Sequence, residues 1–147
     1  MTDISLRQIT KDTLIHFLRM KVHPEQVGFV APNGSSISQG EYFDDAWYRG
    51  IFAGDEPVGF VMLSIMEDKA EYYIWRFMIG AEHQRKGYGR AAMAKVIDYV
   101  RLLPNAKDLH LSHVEDNTEA SAFYGSLGFA HTGEKDEDGE LMMVLKL

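Results

Sequence analysis

The chain has 147 residues, 46% of them hydrophobic, and its 22 acidic against 15 basic side chains leave a net charge of −7; one globular domain over 1–147 is expected. The absence of cysteine excludes disulfides, thiolate catalysis and cysteine-ligated metal, and the acidic balance does not suit nucleic acid, whose phosphates demand a basic face, while suiting either a cationic partner or mere solubility. With no run of about 18 apolar residues and no apolar core at the N-terminus, a cytoplasmic protein without a membrane partner is expected, and no metal.

Ile4 and Leu6 alternate with polar neighbours and predict a first strand. Thr10 or Asp12 can cap a helix whose face is Leu14, Phe17 and Leu18. Residues 22–42 lack a clean period and hold Pro24, Pro32, Gly34 and Gly40. A short helix, a loop and a helical turn near 38–43 are expected there. Strands follow over 48–53, 58–65 and 72–79, separated by the turns Gly54-Asp55-Glu56-Pro57 and Glu67-Asp68-Lys69, as an antiparallel meander. Residues 87–103 predict a helix on Met93, Val96, Ile97, Val100 and Leu103, stopped by Pro104 and Asn105. A strand over 109–114 precedes a helix over 117–127 that carries Ala120, Phe123, Tyr124 and Leu127 on one side, with Gly128 at C′ and Phe129 as its hydrophobic contact. The five acids between Glu134 and Glu140 read as an exposed hairpin turn before a last strand over 141–147. The order β, α, α, three strands, α, β, α, β defines an α/β (α+β) fold with a mixed sheet, in which 72–114 forms a parallel crossover.

The informative stretch joins the third meander strand to the following helix through Gln84-Arg85-Lys86-Gly87-Tyr88-Gly89-Arg90. A helix start offers up to four unpaired N–H groups and about half a positive charge. Gly87 and Gly89 let a ligand approach the backbone, and Arg85, Lys86 and Arg90 reverse the local charge of an acidic chain. Together they predict a phosphate or pyrophosphate cradle. No GK[ST] follows a four-residue gap, and no GxGxxG opens a first βα unit, so neither a triphosphate P-loop nor a dinucleotide fold fits.

The segment Gln84 to Gly89 resembles the Q/R-x-x-G-x-G/A signature of the GNAT acetyltransferases. Asn117-Thr118-Glu119-Ala120-Ser121-Ala122-Phe123-Tyr124-Gly125-Ser126-Leu127-Gly128-Phe129 resembles that family's second motif. Pro57-Val58-Gly59-Phe60-Val61-Met62 and Ile74-Trp75-Arg76-Phe77-Met78-Ile79 are similar to bacterial spermine/spermidine (diamine) acetyltransferases, as are Val27 to Asn33 and the last strand. The resemblance implies a V-shaped splay between the fourth and fifth strands that holds acetyl-CoA. Backbone groups of Phe77, Met78 and Ile79 would pair with its pantetheine arm, and residues 84–90 would hold its pyrophosphate. Asn117 would touch the cofactor arm, cap its helix, or both. A homodimer is suggested by family habit.

Acetyl transfer to an alkyl amine needs the neutral amine, about one molecule in ~2,500 at pH 7 for a pKa near ~10.4. It also needs an acid for the departing thiolate, and Tyr124 matches the family's general acid. Some polyamine acetyltransferases carry a basic Glu near the position held here by Trp75, so the base stays open among Glu71, His113 with Glu115 beside it, and an ordered water chain. Glu41, Asp44 and Asp45, interleaved with Tyr42, Phe43 and Trp47, form a candidate seat for an alkylammonium, and Trp75 is a further substrate-binding candidate. The expected function is acetylation of a small, polycationic amine (spermidine, spermine or a diamine). Alternatives are an aminoglycoside, amino-acid or protein N-terminal acceptor, an acyl-CoA-binding module, and an interaction protein that kept only the fold.

Overall fold

Aromatic and β-branched runs favour pleated backbone, and here they pair with their sequence neighbours first. In the computed structural model, which describes residues 3–147, β1 (Ile4–Arg7), β2 (Ala46–Ala53), β3 (Glu56–Met66) and β4 (Glu71–Ile79) are each antiparallel to the next. Helix α3 (Tyr88–Arg101) carries the chain back, so that β5 (Asp108–His113) lies parallel to β4. Strand β7 (Leu141–Lys146) then inserts beside β5 with β6 (Ala130–Lys135) outside it, giving the order β1-β2-β3-β4-β5-β7-β6 among the described residues. The mixed sheet with its antiparallel meander is thus the one the element order implies.

Strand β6 is an addition to that order. All its residues are exposed, and its register with β7 is irregular between His131 and Lys135. An edge strand with no buried face needs no apolar alternation, so periodicity does not announce it.

Side chains alternate across β3: Val61 and Leu63 pack on one face, Phe60 and Met62 on the other. On the first face, α3 buries Ala92, Met93, Val96, Ile97 and Val100 against Ile51, Ile74, Leu109 and Leu111. Each large member contributes about 1.5–3 kcal/mol. Helix α4 (Thr118–Ser126) adds Phe123 and Tyr124 to the same side. On the other face lie α1 (Leu14–Arg19) and α2 (Asn33–Tyr42), with Ile37 and Met20 packed near Phe60 and Met78. Helix α2 is longer than the expected turn at 38–43, and a 3-10 turn at Pro24–Gln26 stands where a short helix is expected. The polar, glycine-containing sequence of α2 is a poor helix former. Tertiary contacts hold it: buried Asn33 donates from Nδ2 to Phe17 O at 3.0 Å.

Two local devices give the sheet and α4 their final shape. Met62 lies opposite Arg76 but Leu63 lies opposite Ile74, so Trp75 is an extra residue that bulges β4. Strands β4 and β5 then pair only at Tyr73↔His110 and Ile74↔Leu111, and separate beyond. This is the V-shaped opening between the fourth and fifth strands. The second device ends α4. Phe129 N–H donates to Tyr124 O at 3.1 Å and Gly128 N–H to Gly125 O at 3.0 Å, with Gly128 at φ 105°. That is a Schellman motif with glycine at C′. Its hydrophobic contact is Phe129 edge-on to Tyr124, 5.7 Å between ring centroids.

Candidate active site

The opening becomes a cleft of about 1290 Å³, walled by residues 73–79 of β4, the end of β5, α4, the loop at 27–32 and the β6–β7 hairpin. A volume above the ~300–1,000 Å³ of most single-ligand pockets leaves room for two reactants together. At one end lies the start of α3. Gly87 caps it at φ 83°, in the left-handed region that a side chain strains. Among the described residues no acceptor meets the main-chain N–H groups of residues 85–90, and the first intrahelical bond runs from Ala91 N–H to Gly87 O at 3.2 Å. A Cβ on Gly89 would meet Ile79 and Phe123 at an ordinary 3.6 Å. Arg85, Gly87, Tyr88, Gly89 and Arg90 line the cleft, whereas Lys86 is exposed outside it. Gln84 braces the loop, donating from Nε2 to Ile79 O and to Gln26 Oε1, both at 2.9 Å. Arg90 donates to Ser126 Oγ at 2.6 Å, joining α3 to α4.

Along β4, Gly80 N–H donates to Val58 O at 2.9 Å. By alternation the main chain of Met78 also faces β3, while that of Phe77 and Ile79 faces the cleft. An extended amide-bearing ligand can therefore add on here as a strand would. Asn117 caps α4, accepting from Ala120 N–H at 3.2 Å through Oδ1, and is also a residue of the cleft lining. Bare amides, two glycines, arginines and a free strand edge fit a diphosphate joined to an amide chain.

Tyr124 lines the cleft from α4. Its ring is wedged between Phe123 and Phe129 at 5.2 and 5.7 Å. Burial pushes the phenol well above its ordinary value of about 10, so it stays protonated at neutral pH. His113 also lines the cleft, but its ring nitrogens are engaged. Nδ1 lies 2.8 Å from Val114 O, which can only accept, so Nδ1 carries the hydrogen. Nε2 then accepts from His131 Nε2–H at 2.9 Å. Both ring nitrogens are therefore engaged within the protein. Glu71, at the start of β4, and Glu115 are exposed and lie outside the cleft.

The two acidic segments fare differently from their sequence readings. Glu41, Tyr42 and Asp44 are exposed at the end of α2, outside the cleft, with Glu41 accepting from Tyr48 at 3.2 Å. Asp45 accepts from Ser64 at 2.6 Å, Phe43 rests against Trp75, and Trp47 stacks on Tyr99. Trp75 lines the cleft. Conversely Asp136, Asp138 and Glu140 of the hairpin line it too, with ligand oxygens within 4.8 Å of one another. Tyr73 donates to Ser112 Oγ at 2.5 Å across the apex where β4 and β5 part, and Ser112 donates to Asp136 Oδ2 at 2.8 Å. Burial raises the Tyr73 phenol. Arg76 joins this wall, and its buried Nε meets no acceptor among the described residues.

The GNAT acetyltransferase family model matches residues 13–129. The chain is 27% identical to the spermine/spermidine N(1)-acetyltransferase of Bacillus subtilis, covering 98% of this chain and 99% of that one. It is similar in fold to the spermidine N-acetyltransferase from Vibrio cholerae, solved with CoA and spermine (TM-score 0.79, 17% identity, 97% of this chain and 95% of that one). It is also similar to PaiA N-acetyltransferase from Thermoplasma acidophilum, solved with coenzyme A (TM-score 0.72, 18% identity, 99% of each chain). Among the described residues no helix is long and apolar enough to cross a membrane.

Proposed function

Because the chain belongs to the GNAT acetyltransferase family, and is an N-acetyltransferase with acetyl-CoA as co-substrate, we propose that its acceptor is a small polycationic amine of the spermine/spermidine class. The observation that carries this reading is that Asp136, Asp138 and Glu140 share one cleft with the amide cradle. Carboxylates about 5 Å apart repel by ~1–3 kcal/mol between bulk and surface dielectric, and an ammonium reverses the sign. The similarity to a spermine/spermidine acetyltransferase supports the same class.

In this reading the N–H groups of residues 85–90 and the arginines hold the diphosphate, the edge of Phe77 and Ile79 aligns the pantetheine arm, and Asn117 steadies it. Acetyl-CoA supplies an activated acyl group. Tyr124 donates a hydrogen bond, then its proton, to the departing sulfur. Its phenol is a weaker acid than a thiol of pKa about 8.5, so the proton transfer is uphill and the hydrogen bond to the developing sulfur charge supplies most of the stabilisation. Incubation of the protein with acetyl-CoA and a panel of polyamines, monoamines, aminoglycosides, amino acids and peptides tests the acceptor. Free CoA should appear fastest with spermidine or spermine, and a faster amino acid or peptide would displace the reading. That second acceptor class draws on Arg76, whose unpartnered Nε in the cleft wall suits a ligand carboxylate or carbonyl.

A further inference from the structure

We propose that Glu140 is the general base of the transfer, an inference that deepens the acetyl-transfer reading above and rests on it. His83 and Tyr88 line the cleft at its cradle end, on either side of the loop before α3, and Tyr124 lies on α4. The remaining titratable groups of the wall that could take a proton are Tyr73, His113, Glu119, Asp136, Asp138 and Glu140. Tyr73 is a donor to Ser112, and burial keeps it protonated. His113 has both nitrogens committed, to Val114 O and to His131. Asp136 is the most engaged of the acids: Oδ1 accepts the N–H of Asp138 and of Glu140, each at 2.9 Å, and Oδ2 accepts from Ser112, three bonds that each favour its ionised form as a structural acceptor. It shapes the hairpin and fixes the backbone of Glu140. Asp138 and Glu119 are exposed, one at the hairpin tip and one in the first turn of α4. Glu140 is half-buried; its Oε1 lies 3.3 Å from Ser112 Oγ, the longer arm of a hydroxyl hydrogen shared with Asp136, while Oε2 has no hydrogen-bond partner among the described residues.

Its position suits the reaction. Tyr73 and Ser112 alternate with Ile74 and Leu111, which are buried on the α3 side. Glu140 therefore stands on the opposite face of the sheet from α3, while Tyr124 packs on the α3 face. A thioester lying in the gap between β4 and β5 would be approached by an amine beside Glu140 and would release sulfur toward Tyr124. The charged and titratable neighbours of Glu140 are Asp136 and Asp138 on its own hairpin and Tyr73 and Arg76 from β4. Ser112 of β5 adds an uncharged donor.

Glu140 takes a proton from the acceptor nitrogen, which frees the lone pair for the carbonyl carbon. The N–C bond forms, the C–S bond breaks, and sulfur takes the Tyr124 proton. Of the three protons on the ammonium, one stays on the amide nitrogen, one leaves through Glu140 to water, and one restores Tyr124.

The test is the pH dependence of kcat for Glu140→Gln against the intact enzyme, using the amine of the panel that the intact enzyme acetylates fastest. At pH about 7 the variant should be slower by roughly 100-fold. The deficit should shrink below about tenfold near pH 10, where the amine loses its own proton. An acceptor whose pKa lies below ~7 should likewise be acetylated almost as fast by the variant, because it needs no base. The melting shift given by acetyl-CoA should be unchanged, which excludes misfolding, and Glu137→Gln, an exposed acid outside the cleft, should match the intact enzyme. An unchanged rate, or a deficit equal at every pH, overturns the assignment. The acceptor reading stands or falls separately, on which amine of the panel is fastest, and an intact protein that acetylates none overturns both.

Discussion

At the α3 end of the cleft the polar groups come from one short stretch, residues 84–90, and they are mostly main-chain N–H groups. At the hairpin end, Tyr73, Ser112, Asp136 and Glu140 arrive from β4, β5 and the β6–β7 hairpin and meet only through side-chain hydrogen bonds. The first site is a property of local backbone, and few side-chain substitutions reach it. The second is a property of packing, and each member can be changed by itself. Substitutions at the two ends should therefore separate cofactor binding from acceptor handling.

The largest effect is expected at the cradle. With acetyl-CoA at about 100 times its Kd, the intact protein should gain ~2.7 kcal/mol, roughly 5–10 °C in Tm. Gly89→Asp should gain nothing. The added Cβ meets only ordinary contacts at 3.6 Å, so the fold should persist while a carboxylate occupies the anion seat; a normal shift in that variant would remove the cradle. Tyr124→Phe, between the two ends, should lower kcat by about 100-fold with the acetyl-CoA shift intact. It should also flatten stability at high pH. The folded phenol is held above its unfolded value of about 10, so its stabilising contribution is complete below that value and is lost as pH rises above it. Melting at pH about 9 and about 11 should differ less in the variant than in the intact chain.

Smaller effects should mark the hairpin. Asp138→Lys should raise KM for a polyamine by about tenfold, with kcat little changed and the gap narrowing in high salt. Smallest of all, Glu41→Gln with Asp44→Asn should alter KM by less than about twofold, as befits exposed side chains outside the cleft. A larger change there would move the acceptor to the α2 end and dissolve the contrast.

The same contrast explains which features are legible in the sequence. Gly87, Gly89 and Gln84, the cap at Asn117, and the Gly128–Phe129 termination of α4 are governed by neighbours a few residues away, so composition and spacing reveal them. The hairpin acids read as a solvated turn because their surroundings depend on β7 inserting between β5 and β6, and β6 has no apolar period to betray it. For the same reason His113 is visible as a candidate but its partner His131 is not.

The sequence by itself determined the strand meander, the crossover helix and the glycine loop that opens it, because hydrophobic period and local backbone preference act within a few residues. Only the tertiary structure decided that α2 is a full helix held by Asn33, that Trp75 bulges β4 and opens the sheet, and that carboxylates distant in the chain line the cleft. Those features rest on long-range register and burial, where the stabilising partner of a residue lies in another element altogether.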